Sequence, residues 1–175
     1  MAPAANPPLT GMSWIGNASL WRRQKIVGVF ADCHSDGWMD FFRGQWAIEM
    51  GCKGKILVGI FSSWTEREIL RLHLRNGGRA VWILGMAFPG SFNRDCSCAI
   101  WEGRLLVVSC FWIPRWTYST YRYCCQLVSA CADSLVFWGI DSTCYTKEVY
   151  DRACARGVKV ELFAAPFQKV LSLKT

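Results

Sequence analysis

The sequence lacks the features that mark several common protein classes. It has no uninterrupted apolar run of the roughly 18 residues that a membrane-spanning helix needs. The N-terminal stretch MAPAANPPLTGMSW has no charged region followed by an apolar segment, so it does not have the pattern of a secretory signal. We therefore expect a cytoplasmic protein without a membrane partner.

The cysteines lack the spacing of a recognisable metal or redox motif. The chain contains 10 cysteines, yet none of them form a Cys-x-x-Cys pair, the pattern typical of zinc ribbons and thioredoxin-like sites. In a cytoplasmic protein such residues are mostly buried, reduced thiols. The loop after the first predicted strand also lacks the G-x-G-x-x-G spacing of a dinucleotide site. We expect neither a cofactor nor a resident metal ion.

Acidic residues are scarce relative to basic ones. The sequence has 13 aspartates and glutamates against 20 lysines and arginines, which gives a formal net charge of +7. This balance favours an anionic partner such as a nucleotide or nucleic acid, although a solvated basic surface would have the same composition. No pair of carboxylates stands out as a general acid and base.

The sequence is rich in short apolar runs separated by helical patterns. With 175 residues, of which 52% are hydrophobic, the chain can form one domain with a substantial core. We expect a flexible tail over residues 1–14 and a single domain over residues 15–175. Continuous apolar runs are typical of parallel strands buried on both faces, and they occur at residues 26–30, 56–60, 80–84, 105–108 and 135–138; residues 159–163 are predicted as a last, sixth strand.

Helical patterns alternate with these six predicted strands. The segment from residue 103 to residue 139 contains a strand, a loop, a helix and a second strand, which is a βαβ unit. The fold class is therefore α/β, a Rossmann-like three-layer domain with a mainly parallel sheet of about six strands. In such sheets ligands bind beyond the carboxyl ends of the strands.

Polar side chains follow the predicted strands at that edge. They form one candidate ligand site, whose hydroxyl groups and helix N-terminal N–H groups could hold a phosphate. Thr65 is a predicted N-cap, and capping is the competing role for the hydroxyl groups nearby. The candidate ligand-binding residues are Asp32, His34, Ser62, Ser63, Ser109, Asp141, Ser142 and Thr143.

Arginines and aromatic residues alternate in residues 115–123, which we call the Arg/aromatic segment. Guanidinium groups neutralise phosphates and flat rings stack on unpaired bases, so this composition suits single-stranded nucleic acid. Packing at an oligomer interface would favour the same residue types. The candidate nucleic-acid-binding residues are Arg115, Trp116, Tyr118, Tyr121 and Arg122. A second basic stripe, Arg67, Arg71 and Arg75, is more typical of a solvated helix face.

Cysteines provide two further hypotheses. Cys33, His34 and Cys110 follow strands and could contribute to a metal site, although their spacing gives that hypothesis no support. Cys124 and Cys125 are placed near a helix N-terminus, which would lower the pKa of a thiol and favour a nucleophile.

Several segments resemble the DNA-processing protein A family. Residues 56–70, ILVGIFSSWTEREIL, resemble its strand-to-helix step; GRLLVVSCF at 103–111, QLVSACAD at 126–133 and GVKVELFAAP at 157–166 resemble later segments. The family belongs to a Rossmann-like superfamily that includes the lonely-guy phosphoribohydrolases, whose glycine-rich phosphate loop is absent here. The family's Arg-Asn-Arg motif is replaced by Cys124, Cys125 and Gln126.

The resemblance implies a binding protein rather than an enzyme. Its expected ligand is single-stranded DNA or a nucleotide, and its expected assembly is a homodimer. The alternatives are a nucleotide-processing hydrolase at the strand-end crevice and a cysteine-based metal or redox module.

Overall fold

The computed structural model describes residues 9, 11–22, 25–31, 37–140 and 144–163, except for the side chain of Trp38. Within these residues the strands are β1 (Ser13–Gly16), β2 (Ile26–Ala31), β3 (Ile56–Gly59), β4 (Arg79–Leu84), β5 (Leu105–Ser109), β6 (Ser134–Trp138) and β7 (Lys159–Phe163). The helices are α1 (Gly37–Cys52), α2 (Trp64–Arg75), α3 (Arg94–Trp101), α4 (Tyr118–Cys131) and α5 (Tyr145–Ala155), with a 3₁₀ helix at Ala18–Arg22.

The strands form one sheet in the order β1-β5-β4-β3-β2-β6-β7. All neighbouring strands pair in parallel except β1, which is antiparallel to β5. This confirms the predicted Rossmann-like α/β fold and its six parallel strands. The seventh strand, β1, was not predicted, and it begins at Ser13, inside the region assigned to the tail.

Helices cover both faces of the sheet, as the continuous apolar runs indicate. One core layer packs α4, α5 and the 3₁₀ helix against residues such as Val58 and Val108. The other layer packs α1, α2 and α3 against the alternate residues, such as Leu57 and Val107. Because successive residues of a strand face opposite sides, each strand contributes to both layers. None of the described helices is long and apolar enough to cross a membrane.

The chain order places a crevice between β2 and β6. From β2 the chain adds β3, β4 and β5 on one side, and it then returns through α4 to place β6 on the other side of β2. At such a reversal the connections leave the two strands toward opposite faces, and the space beyond their carboxyl ends is open to a ligand. The edge of the sheet where the parallel strands end is therefore the place to look for a site.

Gly16 secures the antiparallel edge strand. Its φ is +98°, and an added Cβ would lie 2.1 Å from the carbonyl oxygen of Leu105, a backbone atom that cannot move without disrupting β5. We expect Gly16→Ala to lower the free energy of unfolding by at least about 2 kcal/mol, as measured by urea titration. The control is Gly11→Ala, because Gly11 has a φ of +82° but no atom within 4 Å of an added Cβ. Equal losses in the two variants would show that backbone strain alone is responsible.

Candidate nucleic-acid interface

The segments that follow β2 and β6 in the chain lie outside the described residues. The predicted site residues Asp32, Cys33 and His34 follow β2 and lie outside the described residues. The same is true of Asp141, Ser142 and Thr143, which follow β6. Their roles as ligand-binding or metal-binding residues stay predictions. At the carboxyl edge of the sheet, the structure describes the ends of β3, β4 and β5 together with the segments that follow them.

Ser63 is the N-cap of helix α2 at this edge. Its side-chain oxygen accepts a hydrogen bond from the backbone N–H of Glu66 at 3.1 Å, and the Glu66 side chain bonds back to the N–H of Ser63, which completes a capping box. The prediction that Thr65 is the N-cap was wrong, because the helix begins at Trp64, and Thr65 is a buried residue within its first turn.

Glu66 fills the anion-binding position at the start of α2. Its side chain is only 3% exposed. Its carboxylate accepts the N–H groups of Ser62 at 2.9 Å and Ser63 at 3.3 Å. Burial raises the pKa of Glu66, while hydrogen bonds from the backbones of Ser63, Ser62 and Ala31 oppose that shift. The donors that the sequence assigned to a phosphate thus already have a partner, and the ligand role of Ser62 and Ser63 stays a prediction.

Phe61 gives the end of β3 its shape. It is fully buried and has a φ of +42°, an uncommon conformation for a residue with a side chain. Its ring folds back over Gly59, where an added Cβ would lie 2.8 Å from the ring. This turn directs Ser62 and Ser63 toward Glu66.

Ser109 joins two loops at the same edge. Its buried hydroxyl group lies 2.9 Å from the carbonyl oxygen of Met86 and 3.2 Å from that of Phe111, so it can donate to either. The N–H of Ala87 also donates to the carbonyl oxygen of Ile113 at 2.8 Å. Ser109 therefore fixes the loop after β4 against the loop that leads into the Arg/aromatic segment, and a direct ligand contact by Ser109 stays a prediction.

The Arg/aromatic segment presents some of its side chains to solvent. Tyr118 is 65% exposed, and Trp112, which lies just before the segment, is 78% exposed. Arg115 is exposed, and its guanidinium group has no hydrogen bond or ion pair with any described residue. The guanidinium carbon of Arg122 lies 5.7 Å from the centre of the Tyr118 ring. The exposed rings of Trp112 and Tyr118 thus lie at the carboxyl edge with Arg115, a cation that has no carboxylate partner among the described residues.

The other two predicted residues pack inward. Trp116 contacts both core layers, and an added Cβ on Gly85 would lie 2.4 Å from its ring. Tyr121 is half-buried, with its ring 6.5 Å from that of Trp116 in an edge arrangement, and burial raises its pKa. The structure therefore gives Trp116 and Tyr121 a packing role that supports the segment. A direct role in base stacking stays a prediction for both.

The two predicted nucleophiles are not activated thiols; the thiol whose pKa is lowered is that of the half-buried Cys110, because of its hydrogen bond with Cys124. Cys124 and Cys125 are buried, and their thiol pKa values are raised, not lowered as predicted. For Cys124 the first cause is a hydrogen bond with Cys110, and for Cys125 burial raises the pKa to about 12. The nucleophile hypothesis was wrong because α4 begins at Tyr118, so Cys124 and Cys125 lie in its second turn, where the Cys110 hydrogen bond and burial raise their thiol pKa values. Among the described residues no three His, Cys, Asp or Glu side chains form a group that could hold a metal ion.

The basic stripe on α2 is largely neutralised. Arg71 pairs with Glu68, and Arg75 pairs with Asp95 at 3.0 Å. The Nε of Arg67 donates to the carbonyl oxygen of Phe61 at 3.2 Å. These contacts agree with the interpretation of the stripe as a solvated helix face, although only Arg71 has the expected glutamate partner.

No protein-family model matches the sequence, and no curated protein matches it at a significant level. Solved structures do match. The structure superposes on DNA processing protein A from Helicobacter pylori with a TM-score of 0.75 at 11% identity, covering 93% of this chain and 76% of that one. The fold is that of DNA processing protein A.

A second structure with the DNA processing protein A fold supports this result. The protein from Streptococcus pneumoniae matches with a TM-score of 0.71 at 13% identity, over 92% of this chain. The present chain spans only 56% of that protein's length. The molybdenum cofactor binding protein of Rippkaea orientalis matches with a TM-score of 0.58 at 12% identity, covering 80% of this chain and 76% of its own. The fold predicted from the sequence segments is confirmed.

Sequence reasoning missed two exposed aromatic residues at the carboxyl edge. Trp112 follows β5, and Trp64, 72% exposed, is the first residue of α2. Both residues come within a few positions of a predicted strand end. An aromatic residue at such a position is the sequence signal that could have placed them in the candidate site. Tyr145 and Arg152 on α5 were also missed, because their contacts depend on how α5 packs against α4.

Proposed function

We propose that this protein binds single-stranded nucleic acid, with single-stranded DNA as the expected ligand, at the carboxyl edge of its sheet. The observation that carries the proposal is the position of Arg115, which has no anionic partner among the described residues, in the same loop as the exposed Trp112 and close to the exposed Tyr118. Rings of this kind stack on unpaired bases, and arginines neutralise phosphates.

Other observations support the same ligand. The net charge of +7 attracts a polyanion. Ser109 and the packing of Trp116 hold the loop on the sheet, so the exposed side chains need less ordering when a strand binds. The H. pylori protein with this fold binds single-stranded DNA. The hydrolase alternative gains no support from Glu66, because its carboxylate is buried and engaged by backbone N–H groups.

Two further expectations belong to this proposal. A homodimer is supported by apolar side chains exposed on β1 and at the end of α3, namely Trp14, Ile15 and Trp101. The second expectation is a cytoplasmic location.

A salt series with a fluorescent single-stranded oligonucleotide tests the phosphate contacts. We expect Arg115→Ala/Arg122→Ala to weaken binding at least about tenfold at low salt. The slope of log K against log salt should also become shallower by about 1.4, since each phosphate contact contributes about 0.7 for single strands.

The control for this experiment is Arg71→Ala. It removes one positive charge, against two in the double variant, from a side chain that is paired with Glu68 on the opposite layer of the domain. An unchanged slope in the double variant, or an equal change in the control, would remove the support for phosphate contacts in the Arg/aromatic segment.

A further inference from the structure

Helices α4 and α5 enclose a groove on the face of the domain. Its volume is about 280 Å³. On α4 it is lined by Gln126 and Ser129, on α5 by Tyr145, Val149, Arg152 and Ala155, and beyond the end of α5 by its C-cap residue Arg156. Tyr145, Val149, Arg152 and Arg156 recur at the spacing that places side chains on one helix face. The groove is thus built by two facing helix stripes, and it lies beside the Arg/aromatic segment rather than at the strand ends.

Tyr145 holds the polar side chains of the groove in place. It is 4% exposed, and its hydroxyl oxygen lies 2.9 Å from Nε2 of Gln126 and 3.2 Å from Nη1 of Arg152, so it can accept from both. Arg152 is also paired with Glu148 at 3.1 Å. The guanidinium group of Arg152 is therefore positioned before any ligand arrives, which reduces the entropy lost when an anion binds.

Positive charge exceeds negative charge around the groove. Arg156 makes no side-chain hydrogen bond or ion pair with the described residues. The guanidinium carbon of Arg122 lies 4.8 Å from the centre of the Tyr145 ring, and that of Arg152 lies 5.8 Å from it. Glu148 pairs with Arg152 and also acts electrostatically on Arg122, so this one carboxylate faces the three guanidinium groups of Arg122, Arg152 and Arg156. Guanidinium groups bind phosphate oxygens with strong, charge-assisted hydrogen bonds.

We propose that the α4–α5 groove binds a phosphomonoester that carries a flat ring, a ligand of mononucleotide size. Val149 and Ala155 provide apolar wall for the ring, Gln126 and Ser129 provide hydrogen-bonding groups, and Arg152 and Arg156 bind the phosphate. The site is separate from the proposed nucleic-acid interface and does not depend on that function. Arg122 borders both regions, so it takes no part in the test.

Titration of the ¹⁵N-labelled full chain with adenosine 5′-monophosphate, followed by amide chemical shifts, tests the proposal. We expect saturable shifts in residues 126–129 and 149–156, and weaker binding of inorganic phosphate, which has no ring. Arg156→Ala should weaken binding about tenfold, the effect of losing one charge-assisted hydrogen bond. Ala155→Glu, which places a like charge at an exposed wall position, should abolish binding.

Arg71→Ala is the matched control, because it removes an arginine from the opposite layer. The proposal is overturned if no saturable shift occurs up to about 10 mM ligand, or if the shifts fall in residues 112–118 instead. It is also overturned if phosphate binds as tightly as the nucleotide, or if Arg156→Ala and Arg71→Ala behave alike. Loss of nucleotide binding in Arg156→Ala with unchanged oligonucleotide binding would separate this site from the Arg/aromatic segment.

Discussion

A variant that carries both Trp112→Ala and Tyr118→Ala should bind single-stranded oligonucleotides at least about thirtyfold more weakly than the wild-type chain. Each base stacked on an aromatic ring contributes about 1–3 kcal/mol, and both rings are largely exposed at the carboxyl edge. Because stacking is less sensitive to ions than phosphate contacts are, the loss should persist at high salt. Fluorescence anisotropy at low and high salt measures it.

The control for that variant is Trp101→Ala. Trp101 is 90% exposed and is the last residue of α3, which ends where the chain turns back toward the start of β5. It therefore lies at the opposite edge of the sheet from Trp112. Urea unfolding should show that all three substitutions leave stability nearly unchanged, since these side chains are exposed. Equal weakening by Trp101→Ala would contradict a specific site at the carboxyl edge.

Replacing Glu66 with alanine should lower the free energy of unfolding by at least about 3 kcal/mol. The variant leaves the N–H groups of Ser62 and Ser63 without their carboxylate partner and removes half of the capping box of α2. A buried donor without a partner costs about 1–3 kcal/mol, and a lost cap costs about 1 kcal/mol. Glu66→Gln keeps an acceptor oxygen and should lose much less. Urea titration of both variants measures the difference.

Glu68→Ala is the control on the same helix. Glu68 pairs with Arg71 near the surface, so its loss should cost no more than about 1 kcal/mol. If Glu66→Ala were no more destabilising than Glu68→Ala, the carboxylate of Glu66 would not be a structural acceptor.

The pH dependence of stability gives a second test of Glu66. Burial raises the pKa of its carboxyl group above the ordinary value of 4.5, so the folded protein holds this proton more tightly than the unfolded chain does. Between pH 4.5 and the higher folded pKa, the contribution of Glu66 to stability falls as pH rises. The wild-type protein should therefore lose stability relative to Glu66→Gln across that window. A constant difference would mean that the pKa of Glu66 is unshifted.

The buried parallel strands could be predicted because burial on both faces requires continuous apolar runs, which are visible in the sequence. Runs such as residues 105–108 and 135–138 need apolar side chains at every position. Strand β1 has no such run: it spans four residues, Trp14 and Ile15 are exposed, and it pairs with β5 on one side only. Its existence follows from the open edge of β5, which is not visible before the sheet order is known.

The candidate site could be predicted only in part. Its place at the carboxyl edge follows from the fold class, and Arg115 and Tyr118 are exposed there. The half-buried positions of Trp116 and Tyr121 could not be predicted, because composition does not show how the loop packs against Gly85 or how α4 is rotated against the core. Two other features also depend on how distant elements pack, which the sequence does not show. The contact of Glu66 with the backbone of Ala31 joins the start of α2 to the end of β2. The groove at Tyr145 depends on the relative positions of two helices.

The pairing of β2 with β6 has a consequence for how the protein folds. The N–H of Ile26 donates to the carboxylate of Asp133 at 2.8 Å, across 107 residues of chain. Closing so long a loop costs more entropy than forming the β2-to-β5 unit, whose successive strands are neighbours. We therefore expect β2 to β5 to form first and the segment from β6 to β7 to dock last. The junction between β2 and β6 therefore forms in the last folding step. A ligand bound across that junction would stabilise only the fully folded chain.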